Sequence, residues 1–186
     1  MGTNIGDYGK DRKINLLDLL ESTLSIREDF HLRLRNLHPT WLIENFSHFF
    51  PLLGSGKISY ILSPLQSGND RILKLMNRGH RAKDFIDCFA QIKQAYPSIV
   101  LSTEMIVGFP TETKEEFMES LQLFDRAVID AARIFHYTER PGTRASRIEN
   151  DLTEDVIMDR HRKMRLKYIF SRPLQKARAI YHLNRL

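Results

Sequence analysis

The chain reads as an α/β protein whose four parallel strands form an open arc of a parallel β/α (TIM-like) barrel. Three observations predict this. Apolar runs of strand length alternate with amphipathic stretches of helix length, the pattern that builds a parallel sheet through right-handed crossovers. The run Ile99–Val107 is apolar and β-branched except at Ser102, Thr103 and Glu104, as expected of a strand covered on both faces. Polar residues then gather where strands end: Arg33, Arg35 and His38; Ser63 to Gly68; Gly108 to Glu112; His136 to Thr143. In barrels, that is the edge on which ligand sites are built.

Taken in order, residues 1–13 contain Gly2, Gly6 and Gly9 and read as a loop. Asn15 caps a helix to about Ser25, with Leu16, Leu17, Leu20 and Leu24 on one face. Phe30–Leu37 alternates strictly and reads as a strand. Its Arg33 and Arg35 oppose Leu32 and Leu34, so they either line a solvated lumen that takes an anion or form the wet face of an edge strand. Pro39 stands at a first helical position, followed by the apolar face of Trp41, Leu42, Phe46, Phe49 and Phe50.

Gly54 to Gly56 break the chain before a second strand, Lys57–Ser63. Asn69 caps a helix over 70–78, and another helix runs from about Ala82 to Tyr96. The central strand stops at Gly108 and Pro110. Thr113 and Glu116 then form a capping box, so the new helix points its first amides back over the strand end. Alone, this is either an ordinary βα turn or one wall of a site. Ala131–Tyr137 is the fourth strand, ended by Glu139 to Thr143. Thr153 caps a final helix with Glu154 and Asp155 well placed against its dipole, and Pro173 is expected to end or kink it.

Composition narrows the class. The 186 residues are 42% hydrophobic and 27% charged, an ordinary soluble globular balance for about one domain. No apolar run approaches the roughly 20 residues of a membrane span, and the N-terminus has no apolar signal core. A cytoplasmic protein without a membrane partner is therefore expected. The single cysteine, Cys88, shares a helical face with Phe85, Ile86, Phe89 and Ile92 and reads as a buried structural thiol. One thiol cannot hold an iron–sulfur cluster. His31, His80, His161 and His182 lack metal-ligand spacing, so no metal site is expected. Nucleophile triads, P-loops and dinucleotide fingerprints are also missing. Residues 160–186 carry nine Lys/Arg and no acid, leaving 19 basic against 23 acidic residues before them. The division expected is a partial barrel over 1–150 and a basic helical tail over 151–186. The tail seeks nucleic acid or is a solvated helix face.

Three longer motifs carry a resemblance. Pro64–Asp70 followed by Ile72–Arg78, Ser102–Thr113 followed by Glu116 and Phe117, and Tyr137–Ala145 are similar to signatures of the radical S-adenosylmethionine (SAM) methylthiotransferases. The opening Gly2–Gly9 resembles the loop after that family's second barrel strand, and Asn4 resembles its tRNA-modifying branch. The resemblance implies the last four strands of a six-stranded radical SAM core. The N-terminal domain, the first two strands and the three cluster cysteines of the family are not matched, and nothing after about residue 170 resembles its C-terminal RNA-binding barrel.

By the same resemblance, Gln66, Ser67, Gly108, Phe109, Pro110 and Glu112 contact S-adenosylmethionine, with Phe109 exposed against the nucleoside. Arg33, Arg35, Arg140 and Thr143 border the substrate mouth. The implied activity is addition of a methylthio group to the adenosine beside a tRNA anticodon, with tRNA and a missing N-terminal half as partners. It also implies that the isolated chain is inactive, since it ligates no iron–sulfur cluster. A non-catalytic RNA- or protein-binding remnant and a methylthiotransferase acting on a ribosomal protein are the alternatives. Two departures stand out: Glu104 replaces an aspartate, and Thr111 replaces a glycine, which matters if φ is positive there.

Overall fold

The computed structural model describes residues 4–183 other than 13 and 127, with side chains through Ser171. Gly2, and the side chains of Arg172, Lys176, Arg178, His182 and Arg185 in the basic tail, lie outside what is described.

The sheet has four strands in the order β1-β2-β3-β4, every neighbouring pair parallel. They are β1 (Leu32–Leu34), β2 (Ile58–Leu62), β3 (Val100–Val107) and β4 (Ala131–His136). Between them run α1 (Leu16–Leu24), α2 (Pro39–Glu44), α3 (Phe46–Leu52), α4 (Asp70–Leu75), α5 (Ala82–Ala95), α6 (Lys114–Gln122) and α7 (Glu154–Leu183). The expected parallel arc is therefore present, and both β1 and β4 are edges.

Local chemistry explains the boundaries. The Asn15 side chain accepts from the amides of Leu17 and Asp18 while Asp18 reaches back to the Asn15 amide, a capping box worth about 1 kcal/mol. Asn69 accepts from the amides of Arg71 and Ile72 at the start of α4. Thr113 and Glu116 close the box that opens α6. The expected strand over 30–37 is cut to three residues because Asn36 turns left-handed at φ +59°. Asn77, at φ +57°, likewise leaves α4 shorter than the expected 70–78. Pro173 does not end α7, which runs on to Leu183. A single proline removes one i→i−4 bond, and the turns on either side carry the helix past it.

Paired residues of a parallel sheet share a face, so register sorts the side chains. Leu34, Ile61, Leu101, Met105 and Ile134 face the helices and belong to one core with Phe49, Phe85, Phe89 and Phe124. α5 delivers Phe85, Phe89 and Ile92 to it at 0% exposure. Truncating Phe89 to alanine would cost about 3–5 kcal/mol. Cys88 lies buried on the same helix. Its thiol is pushed up to about 11, chiefly by burial, so it is the inert structural thiol expected.

Two loose ends of the sequence are docked. In the opening loop, Asn4 Oδ1 accepts from the amides of Gly6 (3.0 Å) and His38 (3.2 Å). Gly6 lies so close to Trp41 that an added Cβ would stand 2.7 Å from Cγ of that ring. At the other end, α7 lays Ile157, Arg160 and Met164 against β3, β4 and α6, all three buried.

Candidate functional site

The face of the sheet opposite the core carries the polar chemistry. Arg33 and Tyr60 occupy paired positions there, and the guanidinium lies 4.5 Å from the ring centroid. Glu104 and Arg133 are also register partners and form an ion pair. Beyond them Phe135 stands 45% exposed, 6.0 Å from the Arg133 guanidinium. The sequence pattern marked Glu104 as a polar interruption of β3. Arg133 was legible only through its strand parity with Glu104.

At the end of β2, Gln66 is left-handed at φ +77°. Its amide donates to the Glu104 carbonyl and its carbonyl accepts from the Ile106 amide, both at 2.8 Å, so it rides on β3. The side chain is buried and its Oε1 has no hydrogen-bond partner among the described residues. Ser67 points the other way. Its Oγ accepts from the Asn69 amide at 3.2 Å and lies 3.4 Å from Ser120 Oγ, which joins this turn to α6.

Next to Gln66 lies a cluster that motif reading missed. Arg78 is desolvated enough to lower its pKa, with Glu104 the charge that favours the guanidinium, and its Nε is buried without a partner among the described residues. Its Nη1 is 3.1 Å from His38 Nε2. His38 Nδ1 accepts from the Thr40 amide at the start of α2, which puts the ring proton on Nε2, facing the guanidinium donors. Burial lowers the His38 pKa and drives that of His80 down to about 4, so both rings are neutral at pH 7. Donors outnumber acceptors here, which suits a carboxylate or another anionic group.

The loop after β3 is held from two sides. Gly108 sits at φ +71° and its amide donates to Glu112 Oε2 at 2.9 Å. Phe109, expected to be exposed, is 3% exposed and packs edge-to-face on Tyr137 at 5.2 Å. The reason is the short distance between the loops after β3 and β4, which lets one aromatic ring cover the other. Pro110 is buried beside it. Glu112 is 2% exposed and accepts from Arg160 Nη1 at 2.8 Å, while its carbonyl accepts from the same nitrogen at 2.7 Å. Burial raises the Glu112 pKa against the opposing pull of the Gly108 amide and Arg160. Thr111, in the family's glycine position, does take a positive φ of +66°. Arg71 steadies it, donating to Thr111 Oγ1 at 3.2 Å and to its carbonyl at 2.6 Å.

The four residues expected at the substrate mouth are not together. Arg33 and Arg35 lie exposed at the β1 edge, beside a cavity of about 630 Å³ that Leu16, Leu20, Leu32 and Leu34 also line. Arg140 and Thr143 lie beyond β4, the opposite edge, where Thr143 Oγ1 donates to the Arg140 carbonyl at 2.9 Å.

Residues 16–124 match the radical SAM superfamily. The chain belongs to that superfamily. It is 36% identical over 167 residues to the tRNA-2-methylthio-N(6)-dimethylallyladenosine synthase of Clostridium tetani, covering 88% of this chain and 36% of that protein. It is 34% identical over 170 residues to the synthase of the same name from Staphylococcus haemolyticus, covering 90% and 33%. The resemblance read from the three motifs is thereby borne out. Among solved structures, the radical SAM enzyme coproporphyrinogen III oxidase (HemN) of Escherichia coli superposes with a TM-score of 0.62 at 17% identity, over 84% of this chain and 36% of that one. That likeness speaks for the fold. This radical SAM domain spans about a third of the length of the curated relatives it matches.

The residues present fit one of the superfamily's two groups. S-adenosylmethionine needs partners for a carboxylate, an ammonium and ribose hydroxyls. Arg78 with His38, the Glu104 carboxylate and the orphaned Gln66 Oε1 are complementary to these. An iron–sulfur cluster does not fit this chain, whose one thiol is buried on α5 and protonated. No helix among the described residues is long and apolar enough to cross a membrane.

Proposed function

We propose that this radical SAM domain is the cofactor- and substrate-binding part of a cytoplasmic tRNA methylthiotransferase, acting on the adenosine beside the anticodon. Identity to relatives of that name over nearly nine-tenths of the chain supports the reading. The observation that carries the site is the buried, unpartnered Gln66 Oε1 beside Glu104 and Arg78 at the strand ends.

In this reading Arg78 and His38 orient the cofactor's carboxylate. Glu104 and Gln66 take its ammonium and hydroxyl groups, and the Gly108–Glu112 loop closes the nucleoside side. Bound S-adenosylmethionine supplies the adenosyl and methyl groups of the chemistry. Cluster ligands come from outside this sequence, in keeping with a partner N-terminal half. Arg33, Arg35, Arg140 and Thr143 flank the mouth from its two rims.

The first turns of α7 work with the 1–150 barrel segment, because Ile157, Arg160 and Met164 are buried against it. As an RNA contact, α7 has less free charge than its composition suggests. Arg160 is paired with Glu112, Arg162 and Lys163 with Asp159, and Lys167 with Asp125, leaving Arg165 unpaired among the described residues.

The test is equilibrium binding of S-adenosylmethionine to the purified chain, wild type against Gln66→Ala, Glu104→Ala and Arg78→Ala. Each substitution is expected to weaken binding at least tenfold. Unchanged affinity in all three overturns the site. In parallel, a tRNA bearing dimethylallyladenosine should bind more tightly than the same tRNA without it, with a salt dependence that Arg162→Ala and Arg165→Ala flatten. Equal binding of both RNAs would favour a generic RNA-binding remnant.

A further inference from the structure

The only ion pair among the described residues in which both side chains are nearly fully buried joins Glu112, under the loop after β3, to Arg160, which lies outside every motif that carried the resemblance. We propose that Arg160, on the final helix, is a positioning residue that sets the Gly108–Glu112 loop for the cofactor. This deepens the functional reading above and rests on that loop bordering S-adenosylmethionine.

The geometry links three parts. Arg160 Nη1 holds the Glu112 carboxylate at 2.8 Å and the Glu112 carbonyl at 2.7 Å, fixing both ends of that residue. The same carboxylate oxygen accepts from the Gly108 amide at 2.9 Å, so the guanidinium acts through Glu112 on the first residue of the loop. One turn earlier on α7, Ile157 touches Gly108: a Cβ there would stand 2.7 Å from Ile157 Cγ1. The Arg160 guanidinium also lies 5.5 Å from the Phe117 ring centroid on α6. The loop's left-handed entry at Gly108 is thus clamped between the Glu112 carboxylate and the side chain of Ile157 on α7.

A merely structural role for Arg160 would be to seat α7. Met164, one turn further along and 0% exposed, does that by packing alone, and supplies the control. The buried carboxylate makes the difference. Without Arg160, Glu112 is either left as an unpaired charge in an apolar setting, which drives the carboxylate out of place, or takes up a proton and offers the Gly108 amide only a neutral, weaker acceptor.

The experiment compares Arg160→Met, Arg160→Lys and Met164→Ala in the full chain. Binding of S-adenosylmethionine is followed by calorimetry, and amide exchange at Gly108 and Ile106 by NMR. Arg160→Met is expected to weaken binding at least tenfold and to speed Gly108 exchange at least tenfold, with Ile106 unchanged. Arg160→Lys should recover a substantial part of both, since an ammonium can still reach the carboxylate. Met164→Ala should lower the thermal midpoint at least as much as Arg160→Met while leaving affinity within twofold. If Met164→Ala weakens binding as strongly as Arg160→Met, or if Arg160→Met changes neither affinity nor Gly108 exchange, the proposal is overturned. Should the wild-type chain bind no S-adenosylmethionine, the functional reading fails by itself. Gly108 exchange then decides alone whether Arg160 sets the loop.

Discussion

Arg71 of α4 donates to Glu116 of α6 through two parallel contacts, Nε to Oε1 at 2.5 Å and Nη2 to Oε2 at 2.6 Å. The fork joins the helices that follow β2 and β3, and Glu116 Oε2 also accepts from the Thr113 amide that opens α6. One carboxylate therefore serves as cap and cross-link.

That arrangement predicts an acid limb. The Arg71 hydrogen bond, above all, holds the Glu116 pKa below 4.5. Its contribution to stability is present above the unfolded value and is lost as pH falls through the depressed folded one. Glu112 runs the other way: burial lifts its pKa above 4.5, so its contribution is largest below the unfolded value and declines as pH climbs through the folded one. Urea midpoints between pH 3 and 7 should fall less steeply toward acid in Glu116→Gln and more steeply in Glu112→Gln. Parallel profiles for all three proteins would refute the assignment.

Thr111→Gly should stabilise the chain. A β-branched residue at φ +66° carries strain of about 1–3 kcal/mol, against about 0.5–1 kcal/mol of extra unfolded-state entropy for glycine. The Arg71 bond to Thr111 Oγ1 is exposed and returns to water when lost. A net gain near 1 kcal/mol in urea titration is expected. A loss of stability would show that Arg71 and Asp151, whose Oδ1 accepts from the Thr111 amide at 3.1 Å, relieve the strain completely.

Gly108→Ala should destabilise for two separable reasons. Backbone strain at φ +71° costs roughly 1–2 kcal/mol, and overpacking against Ile157 roughly 1–3 kcal/mol more. Ile157→Ala removes only the second. In a double-mutant cycle the alanine at 108 should therefore cost less in the Ile157→Ala background, yet still cost something. Strict additivity would mean that the two residues do not touch.

Cys88 should resist alkylation. With its thiol pushed up to about 11, on the order of one molecule in ten thousand carries a thiolate at pH 7. Iodoacetamide labelling should be negligible in native buffer and complete in urea. Rapid native labelling would mean that α5 opens locally.

Much of this was legible in the sequence because the signals were local. Asn15, Asn69 and Thr113 are caps that act over two or three residues, and each sits where its pattern says. Strand order followed from alternation of strand and helix. What was hidden depends on distance or on backbone sign. Ser67 reads like its neighbour Gln66 in the motif, yet opposite side-chain directions send one to α6 and the other to the sheet. Phe109 looked like a ligand face because nothing in its own segment says that Tyr137 will cover it. Arg160 looked like one more cation of a basic tail. Its partner Glu112 lies 48 positions earlier, and no local pattern connects them.

That separation also has a meaning in time. On the ribosome the segment from Gly108 to Glu112 is made well before Arg160. At roughly 5–20 residues per second, the helix that fastens the loop follows about 2–10 s later. Through that interval, in which α6 is itself made, the Glu112 carboxylate lacks its cation. Acid and amide are then free to meet water, and a chaperone that recognises exposed apolar surface would find the Ile157 seat empty. The fastening of this loop is a late event of synthesis.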